Sequence, residues 1–238
     1  MNCFLYSLVL QWKLDIRSKS LLVTFYIVPL IFFLIMGGIF TSVIPEMGST
    51  LIQSMIVMSV SMGAFLGLPP SLVEIYGSDI KKIYNANGVP IYLGLVTILL
   101  SAFVHLMMTC IVILLLAPIL FKASLPTQLP IFLLSLTIYI IVSLSIGCIL
   151  GLTLKNQAKL TMLAQLVFLP SIMLSGIMFP ISLLPDFLQV IGLVFPAYWG
   201  YRLMLENGFS IENLWYMLFI FCIAVMIGIL LLNKQKSE

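Results

Sequence analysis

Long apolar runs alternate with short polar segments along the whole chain. Each run holds about 20 predominantly apolar residues, which is the length a helix needs to cross the hydrocarbon core of a bilayer. The runs cover residues 21–40, 51–73, 92–120, 129–154, 160–179 and 214–232. The pattern predicts an all-α integral membrane protein with a single transmembrane domain over residues 1–238 and six transmembrane helices.

The composition supports this class and excludes others. Hydrophobic residues make up 62% of the chain, charged residues 8%, and the mean hydropathy is +1.23, whereas a soluble domain has about 25% charged residues. The net charge of +3 forms no basic stripe, so no nucleic-acid partner is expected. The four cysteines and the single histidine are scattered, and we expect no metal, catalytic or cofactor site in the chain.

The distribution of basic residues predicts the orientation. An even number of spans puts both termini on one side, and Lys and Arg concentrate on the cytoplasmic side of membrane proteins. Of the 11 basic residues, only Lys122 and Arg202 fall on the opposite side. Both termini are therefore expected in the cytoplasm.

Residues 1–19 predict an amphipathic helix at the cytoplasmic membrane surface, with Trp12 and Lys13 among the lipid headgroups. The charges follow the apolar stretch, an order opposite to that of an export signal. At helical period one face is apolar and the opposite face is polar. The apolar face holds Phe4, Leu5, Leu8, Val9, Trp12 and Ile16, and the polar face holds Ser7, Gln11, Asp15 and Ser18.

Residues 180–212 interrupt the series of spans on the outer side. The apolar run from Pro185 to Phe195 is too short to cross a bilayer, and it predicts a re-entrant or interfacial helix with Asp186 in its first turn. Tyr198 and Trp199 follow it, and we expect them in the outer aromatic belt.

Polar groups within the spans are few. No acidic residue falls deep within an apolar run, whereas ion-coupled transporters hold ionisable groups inside the membrane. The sequence also lacks the GxxxxGK[ST], HExxH and GxSxG motifs, so the chain is predicted to be no enzyme and to depend on another subunit for energy. His105, Gln53 and Gln165 are candidates either for a transport pathway or for hydrogen-bonded helix packing.

Small residues recur every four positions in two spans. The first ladder is Ser59, Gly63 and Gly67, and the second is Ser143, Gly147 and Gly151. Such ladders let helices approach closely, either within one chain or across a dimer, and packing within the chain is the simpler interpretation.

The cytoplasmic segment 74–90 has an apolar stripe that a merely hydrated loop does not need. The stripe consists of Tyr76, Ile80, Ile83 and Tyr84, with Lys81 and Lys82 elsewhere on the helix. The pattern is typical of a helix that lies on lipid or of one that inserts into a groove of a partner, and the residues alone leave both open.

Two blocks resemble the membrane subunits of type-2, exporter-class ATP-binding cassette (ABC) transporters. The first block has the spacing of that family's first cytoplasmic loop, although Tyr76 stands where the family often has a charge. It consists of Glu74, Gly77, Lys81, Lys82 and Pro90. The second block resembles the stretch from the fifth span into the outer re-entrant helices. It comprises Ser175, Gly176, Phe179, Pro180, Leu184, Pro185, Leu188, Ile191, Pro196, Tyr198 and Arg202. Gly192 is a further candidate residue of the predicted outer re-entrant region.

The resemblance implies a permease subunit in the plasma membrane of a bacterial cell. It implies two such permeases, identical or homologous, with two cytoplasmic ABC ATPases that hold the ATP and Mg²⁺, while this chain binds no cofactor itself. Segment 74–90 then couples to the ATPase. The expected cargo is a hydrophobic drug, peptide antibiotic or related amphipathic compound, which would confer antibiotic resistance. Lipid or polysaccharide export by the same family, and a non-transporting scaffold or sensor, are the alternatives.

Overall fold

A computed structural model describes residues 3–43, 45–77, 90–205 and 210–237, and all regular secondary structure in these residues is helical. In chain order the main helices are α1 (Cys3–Arg17), α2 (Lys19–Ser42), α3 (Met47–Tyr76), α4 (Ile91–Phe121), α5 (Leu129–Thr153), α6 (Gln157–Met173), α7 (Asp186–Gly192), α8 (Pro196–Leu205) and α9 (Ile211–Ser237).

Five helices in the described residues are long and apolar enough to cross a bilayer, namely α2, α3, α4, α5 and α9. The remaining predicted span corresponds to α6, which has 17 residues and ends at Met173. At 1.5 Å per residue it is about 25 Å long, close to the thickness of the hydrocarbon core. The count of six spans therefore stays a prediction that depends on α6.

Helix α3 forms the centre of the bundle. In its most apolar stretch 89% of the residues are buried, compared with 11% in α9 and 28% in α2. It contacts α2, α4, α5, α6 and α8, whereas α9 packs mainly on α5 and α8. The apolar face of α9 remains exposed, as expected for a helix surrounded by lipid rather than water.

The ladders of small residues pack helices within the chain. A Cβ atom on Gly147 would overlap the backbone carbonyl of Ala64, and one on Gly151 would lie 2.8 Å from Cβ of Leu72. Gly63 faces the side chain of Leu106 in the same way. The backbones of α3 and α5 can therefore approach closely because Gly147 and Gly151 have no side chains.

Two π-helical turns face each other in α2 and α3. They span Val23–Ile27 and Gly63–Gly67, and the ring of Phe25 fits against the two glycines. A π turn leaves a backbone carbonyl without its usual helical partner. The Thr109 hydroxyl of α4 donates a hydrogen bond of 2.8 Å to the Phe25 carbonyl, so the three helices are joined at this level.

Replacement of Gly147 tests the α3–α5 contact. We expect Gly147→Leu to lower the free energy of unfolding by about 1–3 kcal/mol, because its side chain has no space beside Ala64. Gly38→Leu is the matched control, since a Cβ atom at Gly38 meets nothing within 4 Å. Thermal unfolding of both variants in detergent measures the difference, and equal midpoints would contradict the packing role.

Candidate functional site

The beginning of segment 74–90 is the C-terminal turn of α3. Glu74 is exposed there, Tyr76 is buried with 3% of its surface accessible, and the helix ends at Gly77. Residues 78–89 lie outside the described part of the chain. The predicted coupling residues Ile80, Lys81, Lys82, Ile83 and Tyr84 are among them.

The burial of Tyr76 revises its expected role. The sequence pattern grouped it with the apolar stripe that faces lipid or a partner, but its side chain belongs to the hydrophobic core of the bundle. It lies in the last turn of α3, where the helix is still surrounded by its neighbours. The predicted stripe is thereby reduced to Ile80, Ile83 and Tyr84.

The end of α3 lies against the connection between α5 and α6. A Cβ atom on Gly77 would come within 3.5 Å of the Lys155 carbonyl oxygen. Pro90 directly precedes the first residue of α4. The two ends of segment 74–90 are therefore the C-terminus of α3 and the N-terminus of α4, and the first of these contacts the next loop on the predicted cytoplasmic side.

A cavity of about 560 Å³ lies between α1, the C-terminal end of α3 and the N-terminal end of α4. Its lining is both polar and apolar, and it includes Gln11, Asp15, Glu74, Ile75, Leu93 and Thr97. The N-terminal helix is thus adjacent to the beginning of segment 74–90.

Asp15 joins α1 to α4 beside this cavity. It is buried, with 7% of its surface accessible, and its carboxylate accepts a hydrogen bond of 2.5 Å from the Ser101 hydroxyl. The Gln11 amide donates a second bond of 2.8 Å from within α1. A buried carboxylate needs such donors, because it has lost its water.

His105 lies one helical turn further along α4 and contacts both α1 and α2. Its Nδ1 atom is 2.6 Å from the Tyr26 hydroxyl, and its Nε2 atom is 3.9 Å from the Asp15 carboxylate. The Trp12 ring stacks on the imidazole, with centroids 4.4 Å apart and an angle of 3° between the planes. Among the described residues Nε2 has no hydrogen-bond partner. We name these four side chains the His105 cluster: Trp12, Asp15, Tyr26 and His105.

The sequence pattern missed this cluster. It assigned Trp12 and Asp15 to opposite faces of α1 and put Trp12 among the headgroups, yet both side chains contact α4. Positions three apart are neighbours on a helix, so the two residues reach the same surface. Apolar residues on the rest of the α1 surface, such as Phe4, Val9 and Ile16, are exposed.

The region that the sequence predicts on the outer side contains two short helices, α7 and α8. Pro180 precedes a single 3₁₀ turn, Pro185 precedes α7, and Pro196 begins α8. Gly176 has a φ of +85°, which allows the sharp turn after α6. A Cβ atom on Gly192 would lie 2.7 Å from the Leu174 carbonyl oxygen, so α7 packs closely on the end of α6.

Tyr198 and Trp199 are buried rather than located in an aromatic belt. Only 7% and 6% of their surfaces are accessible. The Trp199 indole donates a hydrogen bond of 2.8 Å to the Leu193 carbonyl and stacks on Tyr216 of α9. The guanidinium of Arg202, which is exposed, lies 5.2 Å from the Tyr198 ring centroid. Helix α8 is held inside the bundle because its aromatic residues find partners there.

Gln53 and Gln165 have different surroundings. Gln53 lies near the N-terminal end of α3 with 8% of its surface accessible, and its side-chain carbonyl has no hydrogen-bond partner among the described residues. It lines a polar recess of about 190 Å³ together with Thr50 and Gln128. Gln165 is exposed on α6, next to Leu166.

A family comparison identifies the kind of protein to which these helices belong. The model of the family described as ABC-2 type transporter matches residues 3–209, which include α1 and continue past α8. The chain belongs to the ABC-2 type transporter family. It is accordingly a multi-pass membrane component of a transporter that works with an ATP-binding subunit. No curated protein matches the chain.

Replacement of Asp15 by alanine tests whether the His105 cluster holds α1 against α4 in this ABC-2 protein. Asp15→Ala removes the acceptor for Ser101 and the carboxylate beside His105. Hydrogen bonds to charged groups contribute about 1.5–3 kcal/mol, so we expect amide exchange in residues 3–17 to accelerate about tenfold or more. Hydrogen exchange with mass spectrometry measures this, with the exposed Lys13→Ala as control. Unchanged exchange in Asp15→Ala would refute the role.

Proposed function

We propose that the chain is the permease subunit of an ATP-driven exporter that moves a hydrophobic drug, peptide antibiotic or related amphipathic compound out of a bacterial cell. Two permeases, identical or homologous, pair with two ABC ATPases that bind ATP and Mg²⁺. The observation that carries the proposal is the continuity of α3. This buried helix starts beside the polar recess around Gln53, and its last turn contains the exposed Glu74, where segment 74–90 begins.

In the proposed mechanism, a displacement of segment 74–90 tilts the whole of α3, because the segment is continuous with the C-terminal end of this helix. The helix has 30 residues and is about 45 Å long. Near the middle of α3 the Ser61 hydroxyl lies 2.5 Å from the Tyr139 hydroxyl, and the Tyr139 ring contacts Gly200 of α8. Tilting α3 therefore moves the contact with α5 and α8, and closure of the ATPases supplies the force in this mechanism.

The exposed face of α6 supports an association between two permeases. Four large apolar side chains and the amide of Gln165 share this face of the helix. The apolar members are Met162, Leu166, Leu169 and Met173, each more than half exposed. An amide is costly against lipid tails but can form hydrogen bonds across a helix–helix interface. We therefore assign Gln165 to this interface and His105 to packing within the chain.

The proposed topology has six spans with both termini in the cytoplasm. Helix α6 contacts the outer, middle and inner segments of α3, so it runs alongside most of that helix. It starts just after α5 and ends beside α7. In this arrangement α7 and α8 form the outer re-entrant region.

Cysteine labelling at the two ends of α6 tests the topology. In a background without native cysteines, we expect a membrane-impermeant maleimide to label Asp186→Cys in intact cells and to leave Gln157→Cys unlabelled until the cells are opened. Both side chains are exposed, so access to the reagent depends only on the side of the membrane. Labelling of both positions in intact cells would mean that α6 does not span.

Ile83→Asp tests the coupling role of segment 74–90. If Ile83 fills a groove on the ATPase, loss of this anchor costs about 1–3 kcal/mol, and the buried charge adds to that. We expect the variant to insert normally but to lose the ATPase in a pull-down, with at least roughly tenfold lower recovery. Lys82→Ala should reduce recovery mildly and in a salt-dependent way, because a peripheral charge mainly steers association.

Full recovery of the ATPase with Ile83→Asp would contradict docking of segment 74–90 on the ATPase and would favour a segment that lies on lipid.

The cargo is tested separately, by adding peptide antibiotics to the purified complex in proteoliposomes. Stimulation of ATP hydrolysis by these peptides in the wild type, lost in Ile83→Asp, is the expected result. Stimulation by polysaccharide or lipid alone would contradict the proposed cargo.

A further inference from the structure

A groove of about 490 Å³ runs between α4, α5 and α9 on the outside of the bundle. Its walls include Leu99, Phe103, Ile141, Cys148, Phe221 and Gly228. These residues belong to the first half of α4, the second half of α5 and the middle and second half of α9. In the proposed topology all three halves lie on the cytoplasmic side of the membrane.

The chemistry of the groove suits a hydrocarbon. Nearly all of its lining is apolar, and the hydroxyl of Ser145 already donates a hydrogen bond of 2.7 Å to the Val142 carbonyl. A ligand with hydrogen-bonding groups at this depth would leave them without partners, at a cost in free energy. An acyl chain has no such groups.

The dimensions suit one leaflet of a bilayer. Along α4 the lining extends from Leu95 to Phe103, which is about 12 Å, and along α9 from Phe221 to Leu232, about 16 Å. Half of a hydrocarbon core is about 15 Å thick. The groove is therefore about as long as the hydrocarbon part of a single leaflet.

The charge beyond the inner end of the groove favours an anionic headgroup. Helix α9 continues past Leu232 with Lys234 and Lys236 in the sequence, and Lys155 follows α5. In the sequence, Glu238 is the acidic residue that follows these lysines of α9. Basic residues next to a membrane helix on the cytoplasmic side attract anionic lipids.

We propose that this groove is a binding site for one acyl chain of an anionic phospholipid from the cytoplasmic leaflet. The proposal rests on the orientation given under the proposed function, but it involves neither the cargo nor the ATPase. The bound lipid fills the space between α4 and α9, both of which pack on α5. It stabilises the position of α9, the least buried of the long helices.

Gly228 offers a direct way to fill the groove. A Cβ atom built on it meets nothing within 4 Å, and Gly228 lines the groove, so a larger side chain has open space to enter there. Gly38 on α2 is equally open and lies outside the groove, so Gly38→Phe is the matched control for Gly228→Phe.

Photolabelling tests the site. The purified full-length chain is placed in vesicles of phosphatidylcholine with a minority of phosphatidylglycerol, plus a trace of phosphatidylglycerol that carries a diazirine in the middle of one acyl chain. We expect labelled peptides to concentrate within 95–103, 141–148 and 221–232. Gly228→Phe should reduce this labelling about tenfold, and Gly38→Phe should leave it unchanged.

Three results would overturn the proposal. Labelling spread evenly over all lipid-facing helices would show ordinary lipid contact without a site. Equal labelling by a phosphatidylcholine probe would remove the preference for an anionic headgroup. Disulfide-linked dimers of Gly228→Cys, in a background without native cysteines, would show that a second copy of the chain covers the groove. Because none of these readouts uses ATP hydrolysis or transport, they fail or succeed independently of the proposed cargo.

Discussion

The close contact between α3 and α5 determines the positions of the other helices. Because Gly147 has no side chain, the backbone carbonyl of Ala64 can approach it directly, and the two helices are in close contact along the second half of α3. In a bilayer no water drives helices together, so association depends on close packing and on hydrogen bonds between helices. The contact leaves one side of α3 free for α2, α4 and α6 and places α9 on the far side of α5.

Hydrogen bonds between helices add specificity to this packing. Thr109 satisfies the carbonyl released by the π turn of α2, and Tyr139 bridges α5 to Ser61 of α3. Asp15 and His105 extend the same principle to the N-terminal helix. Each of these polar groups is buried and has its partner on a different helix, so the side chains specify which helices are neighbours as well as stabilising them.

The proposed coupling needs a mechanical connection from the ATPase to the predicted outer side of the bundle. In the proposed mechanism this path follows α3, because its C-terminal end begins segment 74–90 and its contact with Tyr139 connects it to Gly200 of α8. The N-terminal helix lies beside the inner end of the path, where Asp15 and Glu74 line one cavity. In the proposed mechanism, a displacement of segment 74–90 would therefore shift α1 as well as α3.

The sequence by itself determined the helical class, the membrane environment and the approximate bounds of the apolar helices, because about 20 uncharged residues in a row have no other stable arrangement in a chain of this composition. It also located the glycine ladders, the start of α7 after Pro185 and the similarity to ABC-2 permeases, which the family comparison confirmed. Only the tertiary structure decided which face of each helix meets which neighbour. It buried Tyr76, Tyr198 and Trp199 and brought Trp12 and Asp15 to His105. The reason is physical: in lipid both the inner and the outer faces of a helix are apolar, so the periodicity that reveals the buried face of a soluble helix is nearly absent, and packing between distant segments makes the choice.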